Sequence, residues 1–211
     1  MVTAELYNWT GHVLMVPRIQ LADALSRPES RYAGVYLLIG EVDGEPQAYI
    51  GEGEDIAARI RSHDVNKDWW SSVVLVTVAA NKLNKAHVRY LESRMIAEAR
   101  NIGRVPLENG NNPALPSLSE ADNAKMEVFL ENLFVVLPAV RVDMFIKRTR
   151  TPQRSDEIKD ISSDSRIQSN ETSVDADRFV LQLKRGEYTA NAILNEHGEF
   201  VVLVGSQARP L

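Results

Sequence analysis

The chain of 211 residues has the composition of an ordinary globular protein, with 44% hydrophobic and 25% charged residues. Its length suits one medium domain or two small ones. It contains no cysteine, which excludes disulfides, iron–sulfur clusters and thiolate zinc sites. Its first residues lack the basic start of a signal peptide, and no segment has the apolar length of a membrane span. We therefore expect a cytoplasmic protein without a membrane partner.

The net charge of −5 argues mildly against nucleic-acid binding, which usually leaves a basic surface. Charge is nevertheless segregated along the chain, and net charge does not describe a local patch. Residues 141–154 are rich in arginine and contain one acid, whereas residues 155–177 are rich in Ser, Asp and Glu. The basic stretch is either a solvated tail or a phosphate-contacting segment.

In chain order, the first half of the sequence predicts alternating strands and helices. Residues 1–30 contain a short strand and then a helix. Two apolar runs, residues 34–40 and 47–52, flank the turn-forming pair Asp43-Gly44 and predict a β-hairpin. The elements that follow are a short helix, a buried strand and a longer helix, over residues 55–63, 73–79 and 84–101.

The second half of the sequence predicts a helix, a linker and a small sheet. A capping box at Ser119 begins a helix with an apolar stripe, and residues 135–146 favour a further strand. The polar composition of residues 149–177 predicts a linker. Residues 178–211 predict a meander of three strands. Such a sheet is marginal alone, so it either packs on the rest of the chain or continues past Leu211.

These elements predict an α+β chain in four parts. Residues 1–30 form an N-terminal strand and helix extension, and residues 31–148 form the main domain with the helix that follows it. Residues 149–177 form the polar linker. Residues 178–211 form the small β-meander, which the sequence presents as an incomplete domain.

Two tyrosines lie on the paired strands of the predicted hairpin, Tyr36 on the first and Tyr49 on the second. Tyrosine favours strands, so packing explains either residue when it is taken alone. The two become informative only together with the charged residues of the helices that follow.

The short helix carries Arg59 and His63 on the same face as Ile56 and Ile60, at about 100° per residue. Because the isoleucines face the core, Arg59 and His63 lie at its edge or inside it. A guanidinium in that position needs an anion. The anion is either a phosphate, which matches the planar fork of arginine, or a carboxylate of the protein.

The longer helix places Glu92 beside its apolar stripe, which is formed by Val88, Leu91, Met95 and Ala99. A glutamate in that position either pairs with Arg59 or binds a metal ion. The alternatives are compatible, because a scissile phosphate needs an anion clamp and a cation together. The loop after the helix offers three asparagines, either for turn formation or for a site: Asn109, Asn111 and Asn112.

The chain resembles the GIY-YIG nuclease module through five ordered elements. They are Gly34-Val35-Tyr36, Tyr49-Ile50-Gly51, Arg59 with His63 on one helical face, Glu92, and an asparagine. The first departs from the family only by a volume-conserving Val for Ile. The resemblance covers roughly residues 32–112, the length of a whole module. It implies a small three-stranded, mostly antiparallel sheet flanked by helices. The family includes homing endonucleases, some restriction enzymes and the incision subunit of bacterial excision repair.

The resemblance implies that Glu92 is the sole protein carboxylate that binds Mg²⁺ or Mn²⁺, and that Arg59 clamps the scissile phosphate. Glu52, Glu54 and Asp55 depart from the family pattern, because acids beside a phosphate site repel the substrate. They either recruit a second cation or face solvent at the helix N-terminus, where Asp55 suits the N-cap.

The remaining roles follow from the same resemblance. Tyr36 and Tyr49 would line the site, and one of them would deprotonate or orient the attacking water, if cations lower its pKa. His63 would shuttle a proton or hold a phosphate. Asn109 would be the asparagine of the family, with Asn112 as the alternative.

The function implied is that of a metal-dependent endonuclease that hydrolyses phosphodiester bonds in DNA with one active site. A single site cuts one strand, so a double-strand cutter needs a homodimer or two visits. The first alternative is a catalytically inactive nucleic-acid-binding or assembly protein with the nuclease fold. The second is a structural protein in which Arg59 and Glu92 form a buried ion pair. Residues 198–209 faintly resemble the start of a small uncharacterised domain that often follows such modules.

Overall fold

The computed structural model describes residues 1–110, 113–147, 180–185, 188–194 and 200–203. The strands are β1 (Val2–Leu6), β2 (Gly11–Pro17), β3 (Gly34–Val42), β4 (Glu45–Gly53), β5 (Trp70–Val78), β6 (Val180–Arg185), β7 (Tyr188–Leu194) and β8 (Phe200–Leu203). The helices are α1 (Leu21–Leu25), α2 (Ile56–Asn66), α3 (Lys85–Ile102) and α4 (Glu120–Val136). In the part of the chain that is described, no helix has both the length and the apolar character needed to cross a bilayer.

The strands form one antiparallel sheet in the spatial order β4-β3-β5-β2-β1-β6-β7-β8. The predicted α+β class is confirmed, but the predicted three-stranded sheet is wrong in its number of strands. The predicted strands correspond to β4, β3 and β5, and β2 then pairs with β5 from Gly11 to Pro17. A buried strand needs a neighbour on each side to satisfy its backbone, and β2 supplies the second neighbour of β5.

The two faces of the sheet are covered by different helices. On one face, α1 and α2 pack over a core that includes Tyr36, Leu38 and Trp70. On the other face, α3 and α4 pack over the larger core, with Leu91 from α3 and Leu133 from α4 fully buried. Because β4 is the edge strand, side chains from both faces meet at that edge.

Local signals in the sequence set the boundaries of the hairpin and of the helices. The hairpin turns at Asp43 and Gly44, whose φ angles of 53° and 82° fit the twist of a two-residue turn, as predicted. The N-caps of α2, α3 and α4 are Asp55, Asn84 and Ser119, and each side chain accepts a backbone N–H from the first turn.

The end of α4 differs from the prediction. The strand expected within residues 135–146 is wrong, because α4 runs on into a 3₁₀ turn at Leu137–Val140 that ends at Arg141 in a left-handed conformation, φ 64°. Pro138 suits the first turn of such a helix, where its missing N–H costs no hydrogen bond.

The predicted meander after the linker is confirmed as β6, β7 and β8, and its first strand pairs with β1. Leu181 and Ala192 are buried in the larger core. Of the two outcomes considered for this small sheet, packing on the rest of the chain is therefore the one observed. The predicted linker over residues 149–177 lies outside the described residues.

Candidate functional site

Five of the six predicted site residues meet at the β4 edge of the sheet, although they come from four different elements. Tyr36 lies on β3 and Tyr49 on β4, Arg59 and His63 lie on α2, and Glu92 lies on α3. The tyrosines, the arginine and the glutamate all act electrostatically on one another's ionisation. These five residues form the edge site.

An aromatic cluster forms the floor of the edge site. The Tyr36 hydroxyl lies 2.8 Å from Nε2 of His63. The His63 ring centroid is 5.5 Å from that of Tyr36 and 5.0 Å from that of Tyr49, and the two tyrosine rings are 6.3 Å apart. Lys67 covers the Tyr49 ring at 5.1 Å and pairs with Glu108. No pattern in the sequence indicated this lysine, which follows α2 directly.

Glycine at position 51 is what allows Tyr36 to reach the edge. Gly51 is the β4 partner of Tyr36 in the register of the hairpin. A Cβ on Gly51 would lie 2.4 Å from the Tyr36 hydroxyl oxygen, so the tip of the ring occupies the place of a side chain. Gly53 likewise makes room for Arg59, because a Cβ on Gly53 would lie 2.8 Å from Cγ of Arg59. The close approach of side chains to β4 thus requires glycine at both positions.

Burial and charge fix which of these groups carries a proton. Burial, and then the charge of Tyr49, raises the pKa of Tyr36, and the charge and hydrogen bonding of Arg59 oppose the rise. Burial lowers the pKa of His63, and the charges of Lys67 and Arg59 lower it further. At neutral pH Tyr36 is therefore protonated and His63 is neutral. A neutral His63 accepts the Tyr36 hydrogen bond when its Nδ1 carries the ring proton.

Arg59 lies at the edge of the core and not inside it, because its side chain is exposed. Among the ion pairs of the described residues, none joins Arg59 to Glu92. The alternative of a structural protein held by a buried Arg59–Glu92 pair is therefore wrong in its central contact. The guanidinium faces the tyrosines and remains available to an external anion.

Glu92 is half-buried and, within the described residues, has neither a hydrogen bond nor an ion pair. Burial is the largest cause that raises its pKa to about 7, and the neighbouring Glu52 is the next. The charges of Lys85, Arg59 and Arg89 oppose the rise without cancelling it. A carboxylate in this state is stabilised by any cation that approaches it.

Glu52 is a member of this neighbourhood that the sequence did not single out as a site residue. Both of its carboxylate oxygens accept hydrogen bonds from Nζ of Lys85, at 2.7 and 2.9 Å, and its side chain is only 15% exposed. The other two acids of the run point elsewhere. Glu54 is exposed, and Asp55 caps α2 by accepting the N–H of Ala58 at 3.0 Å. The prediction of Asp55 as an N-cap is confirmed.

Asn109 is bound to the backbone of β4 at Ile50. Its side-chain oxygen accepts the N–H of Ile50 at 3.0 Å, and its amide nitrogen donates to the carbonyl of Ile50 at 2.7 Å. The side chain therefore pairs with β4 as another strand would, and it positions Tyr49 and Gly51 on either side of Ile50. Asn111 and Asn112, the other two asparagines of the loop, lie outside the described residues.

Replacing Asn109 with alanine leaves both backbone groups of Ile50 without these partners. We expect this change to lower the free energy of unfolding by about 1–3 kcal/mol. Chemical denaturation at neutral pH measures it. Asn101→Ala is the matched control, because Asn101 is exposed at the end of α3 and its loss should change stability by no more than about 0.5 kcal/mol. Equal stability of the two variants would remove the strand-like role of Asn109.

A divalent cation such as Mg²⁺ takes oxygen ligands and keeps several waters, so it needs only one or two protein carboxylates. The residues at the edge fit this requirement, since Glu92 is an unpartnered carboxylate and Glu52 is its neighbour. Over the described residues, no group of three or more His, Asp or Glu side chains is arranged to hold a metal ion alone. Any cation here would depend on Glu92 and on oxygens from outside the protein.

Comparison with known proteins adds nothing to this geometry. No family model matches the chain, and no curated protein and no solved structure matches it.

Proposed function

We propose that this protein is a GIY-YIG-type endonuclease, which hydrolyses phosphodiester bonds in DNA at the edge site. The observation that carries the proposal is that five side chains meet beside β4: Tyr36, Tyr49, Arg59, His63 and Glu92. These groups come from four different elements. Packing alone gives no reason for a hydrogen-bonded Tyr–His pair, an exposed guanidinium and an unpartnered carboxylate to share one place.

The Tyr36–His63 pair supplies the proton chemistry. As a water attacks phosphorus, its proton passes to the Tyr36 oxygen while the Tyr36 proton passes to Nε2 of His63. The raised pKa of Tyr36 makes a free phenolate unfavourable, so the proton it loses has to be replaced in the same step. The lowered pKa of His63 keeps its ring neutral and ready to accept. This favours Tyr36 over Tyr49 as the tyrosine that assists the water.

Arg59 provides the anion clamp. Its exposed guanidinium lies beside the Tyr36 hydroxyl, where it can hold the scissile phosphate and offset the charge that develops on it. Arg89 lies one turn before Glu92 on α3 and extends the positive charge along the edge. The backbone of a nucleic acid would lie along these cations.

Glu92 would hold a Mg²⁺ or Mn²⁺ ion, whose contribution when bound is to stabilise negative charge on the phosphate and the leaving group. Glu92 must be deprotonated for this purpose. Its pKa of about 7 is low enough for a cation to displace the proton at neutral pH.

The test is cleavage of plasmid and branched DNA in the presence of Mg²⁺ or Mn²⁺, with Arg59→Ala compared against Arg61→Ala. We expect Arg59→Ala to lower the cleavage rate about 10²- to 10³-fold. Arg61 is exposed and lies about 200° around α2 from Arg59, so its loss should leave the rate unchanged. Cutting that survives in Arg59→Ala would place the site elsewhere or indicate a contaminant.

A second candidate is a nucleic-acid-binding or assembly protein that keeps the fold and lacks turnover. The observation that favours it is the Glu52–Lys85 ion pair, which puts an acid beside Glu92 and neutralises a lysine of the same edge. Tight binding of DNA by the wild type without any cutting would select this candidate. A homodimer remains a proposal for double-strand cutting, and the mass of the protein in solution tests it.

A further inference from the structure

Lys85 is a cation beside the edge site that the proposed chemistry does not use. It is the first residue of α3, directly after the N-cap Asn84, and the first turn of this helix contains no acidic residue. The N-terminus of a helix carries a partial positive charge, so a lysine there is locally unfavourable. Helix formation therefore gives no reason for a cation at this position.

The side chain of Lys85 is held by Glu52 of β4. Its Nζ donates to both carboxylate oxygens of Glu52, at 2.7 and 2.9 Å. Glu52 faces α3, because it occupies an alternate position of β4, as Ala48 and Ile50 do, and those two residues are buried in the core beneath α3. The Glu52 side chain is 15% exposed and that of Lys85 is 48% exposed. Of the two partners, the ammonium is therefore the one that solvent reaches more easily.

Lys85 and Glu92 lie on the same side of α3. From position 85 to position 92 the helix turns through about 700°, close to two full turns, and rises about 10 Å. Burial is the first cause that raises the pKa of Glu92, the charge of Glu52 adds to the rise, and Lys85 is the first of the charges that oppose it. One ammonium thus acts on two carboxylates, because it pairs with Glu52 and offsets part of the negative charge at Glu92.

A divalent cation bound by Glu92 would meet the charge of this ammonium. The two positive charges repel each other, and the repulsion lowers the affinity of the site for the metal ion. The ammonium of Lys85 is a compact charge on a flexible stem of four carbons, so it can turn out into solvent when a metal ion arrives. The carboxylate of Glu52 then keeps its negative charge beside the metal ion and attracts it.

We propose that Lys85 is the resident counter-cation of the edge site, which competes with a divalent cation for the negative charge of Glu52 and Glu92 and so sets the metal concentration that the site requires. The inference rests on the proposed function, because the divalent cation is the one proposed for Glu92. Lys85 acts through the two carboxylates and touches neither the phosphate nor the metal ion. Removing its charge should therefore strengthen metal binding, whereas the loss of a phosphate-binding lysine would leave metal binding unchanged.

The experiment measures Mn²⁺ binding to the full chain by electron paramagnetic resonance, without DNA, at low ionic strength and at a pH above 7. We expect Lys85→Met, which keeps an unbranched stem and removes the charge, to bind Mn²⁺ about 3- to 10-fold more tightly than the wild type. Lys85→Arg keeps the charge and should bind as the wild type does. Lys125→Met is the matched control, because Lys125 pairs with Asp122 on α4. It removes the same charge from another ion pair and should leave the affinity unchanged.

A double-mutant cycle tests whether Glu52 mediates the effect. In Glu52→Gln the ammonium of Lys85 is no longer held, and its removal frees no carboxylate. The gain in Mn²⁺ affinity from Lys85→Met should therefore fall below about 2-fold in that background. An equal gain in both backgrounds would overturn the pairing with Glu52 as its cause.

The proposal is overturned if Lys85→Met binds Mn²⁺ no more tightly than the wild type, or if Lys85→Arg gains as much affinity as Lys85→Met. Glu92→Gln then distinguishes two failures. If Mn²⁺ binding to the wild type is lost in Glu92→Gln, only the role of Lys85 has failed. If neither the wild type nor Lys85→Met binds Mn²⁺, or if binding survives in Glu92→Gln, the metal site of the proposed function has failed and the role of Lys85 fails with it.

Discussion

Replacing Glu92 with glutamine is expected to abolish metal-dependent DNA cleavage, with a loss of about 10³-fold or more. Glutamine keeps the size and shape of the side chain but lacks the negative charge that a divalent cation requires. The measurement is the rate of plasmid nicking at saturating Mg²⁺. Glu98→Gln is the matched control on the same helix, because Glu98 pairs with Lys147 at 3.5 Å, away from the edge site.

The same substitution should make the protein more stable, and the pH dependence of this gain has a definite sign. The pKa of Glu92 is raised in the folded state from 4.5 to about 7, by burial first and by Glu52 second. The folded protein therefore binds the proton more tightly than the unfolded chain does. Stability from this group is complete below pH 4.5 and is lost as the pH rises through about 7.

Glu92→Gln has no ionisable carboxyl at this position, so the variant does not lose this stability as the pH rises. We expect wild type and variant to unfold with equal free energies below about pH 4.5, and the variant to gain steadily between pH 4.5 and 7. Above pH 7 the gain should be constant at about 1–2 kcal/mol, a value discounted for the partial exposure of the side chain. Thermal unfolding should show this as a rise of roughly 5 °C in Tm. A variant that is both inactive and less stable at pH 8 would mean that Glu92 serves the fold.

At Mg²⁺ concentrations well below saturation, wild-type cleavage should decline as the pH falls below about 7, because protons then compete with the cation for Glu92. The decline in cleavage and the stability gained by Glu92→Gln both depend on the ionisation of Glu92. Strained or unfavourable charges at a site are common where function requires them.

The sequence predicted the elements that depend on local signals. The Asp43-Gly44 turn, the N-caps at Asp55 and Ser119, and the apolar stripe of α3 are each set by residues close together in the chain. The residues of the edge site were named from their order along the hairpin and helices and from the family resemblance, and their roles stay predictions.

What the sequence could not predict depends on contacts between distant residues. β1 was missed because its five residues mix polar and apolar side chains, and only its pairing with β2 makes it a strand. The assignment of Asn109 to the site stays a prediction, but the sequence could not show that its amide binds the backbone of Ile50, 59 residues away. Glu52 was read as a departure from a family pattern, and its place beside Glu92 follows from how α3 packs on β4.

Replacing Gly51 with alanine should cost about 3 kcal/mol of stability and most of the activity. The new methyl carbon would lie 2.4 Å from the hydroxyl oxygen and 2.5 Å from Cζ of Tyr36, and 2.9 Å from Cε1 of Tyr49. Tyr36 is fully buried and rigid beyond χ2, so it cannot move aside without disturbing the core. Displacing its hydroxyl also breaks the hydrogen bond to His63. Denaturation and nicking assays measure the two losses separately.

Gly110→Ala is the control, because a Cβ at Gly110 meets no atom within 4 Å, and it should leave both quantities unchanged. A double-mutant cycle then identifies the cause. If the new methyl group of Gly51→Ala clashes with the Tyr36 ring, the stability lost through Gly51→Ala should be smaller by at least about 1 kcal/mol when it is measured in the Tyr36→Ala background. Additive costs would mean that position 51 needs glycine for its backbone alone. Coupled losses of stability would mean that position 51 requires glycine because the Tyr36 ring occupies the space of its side chain. The register that pairs Gly51 with Tyr36 would then be a condition for the hydrogen bond between Tyr36 and His63.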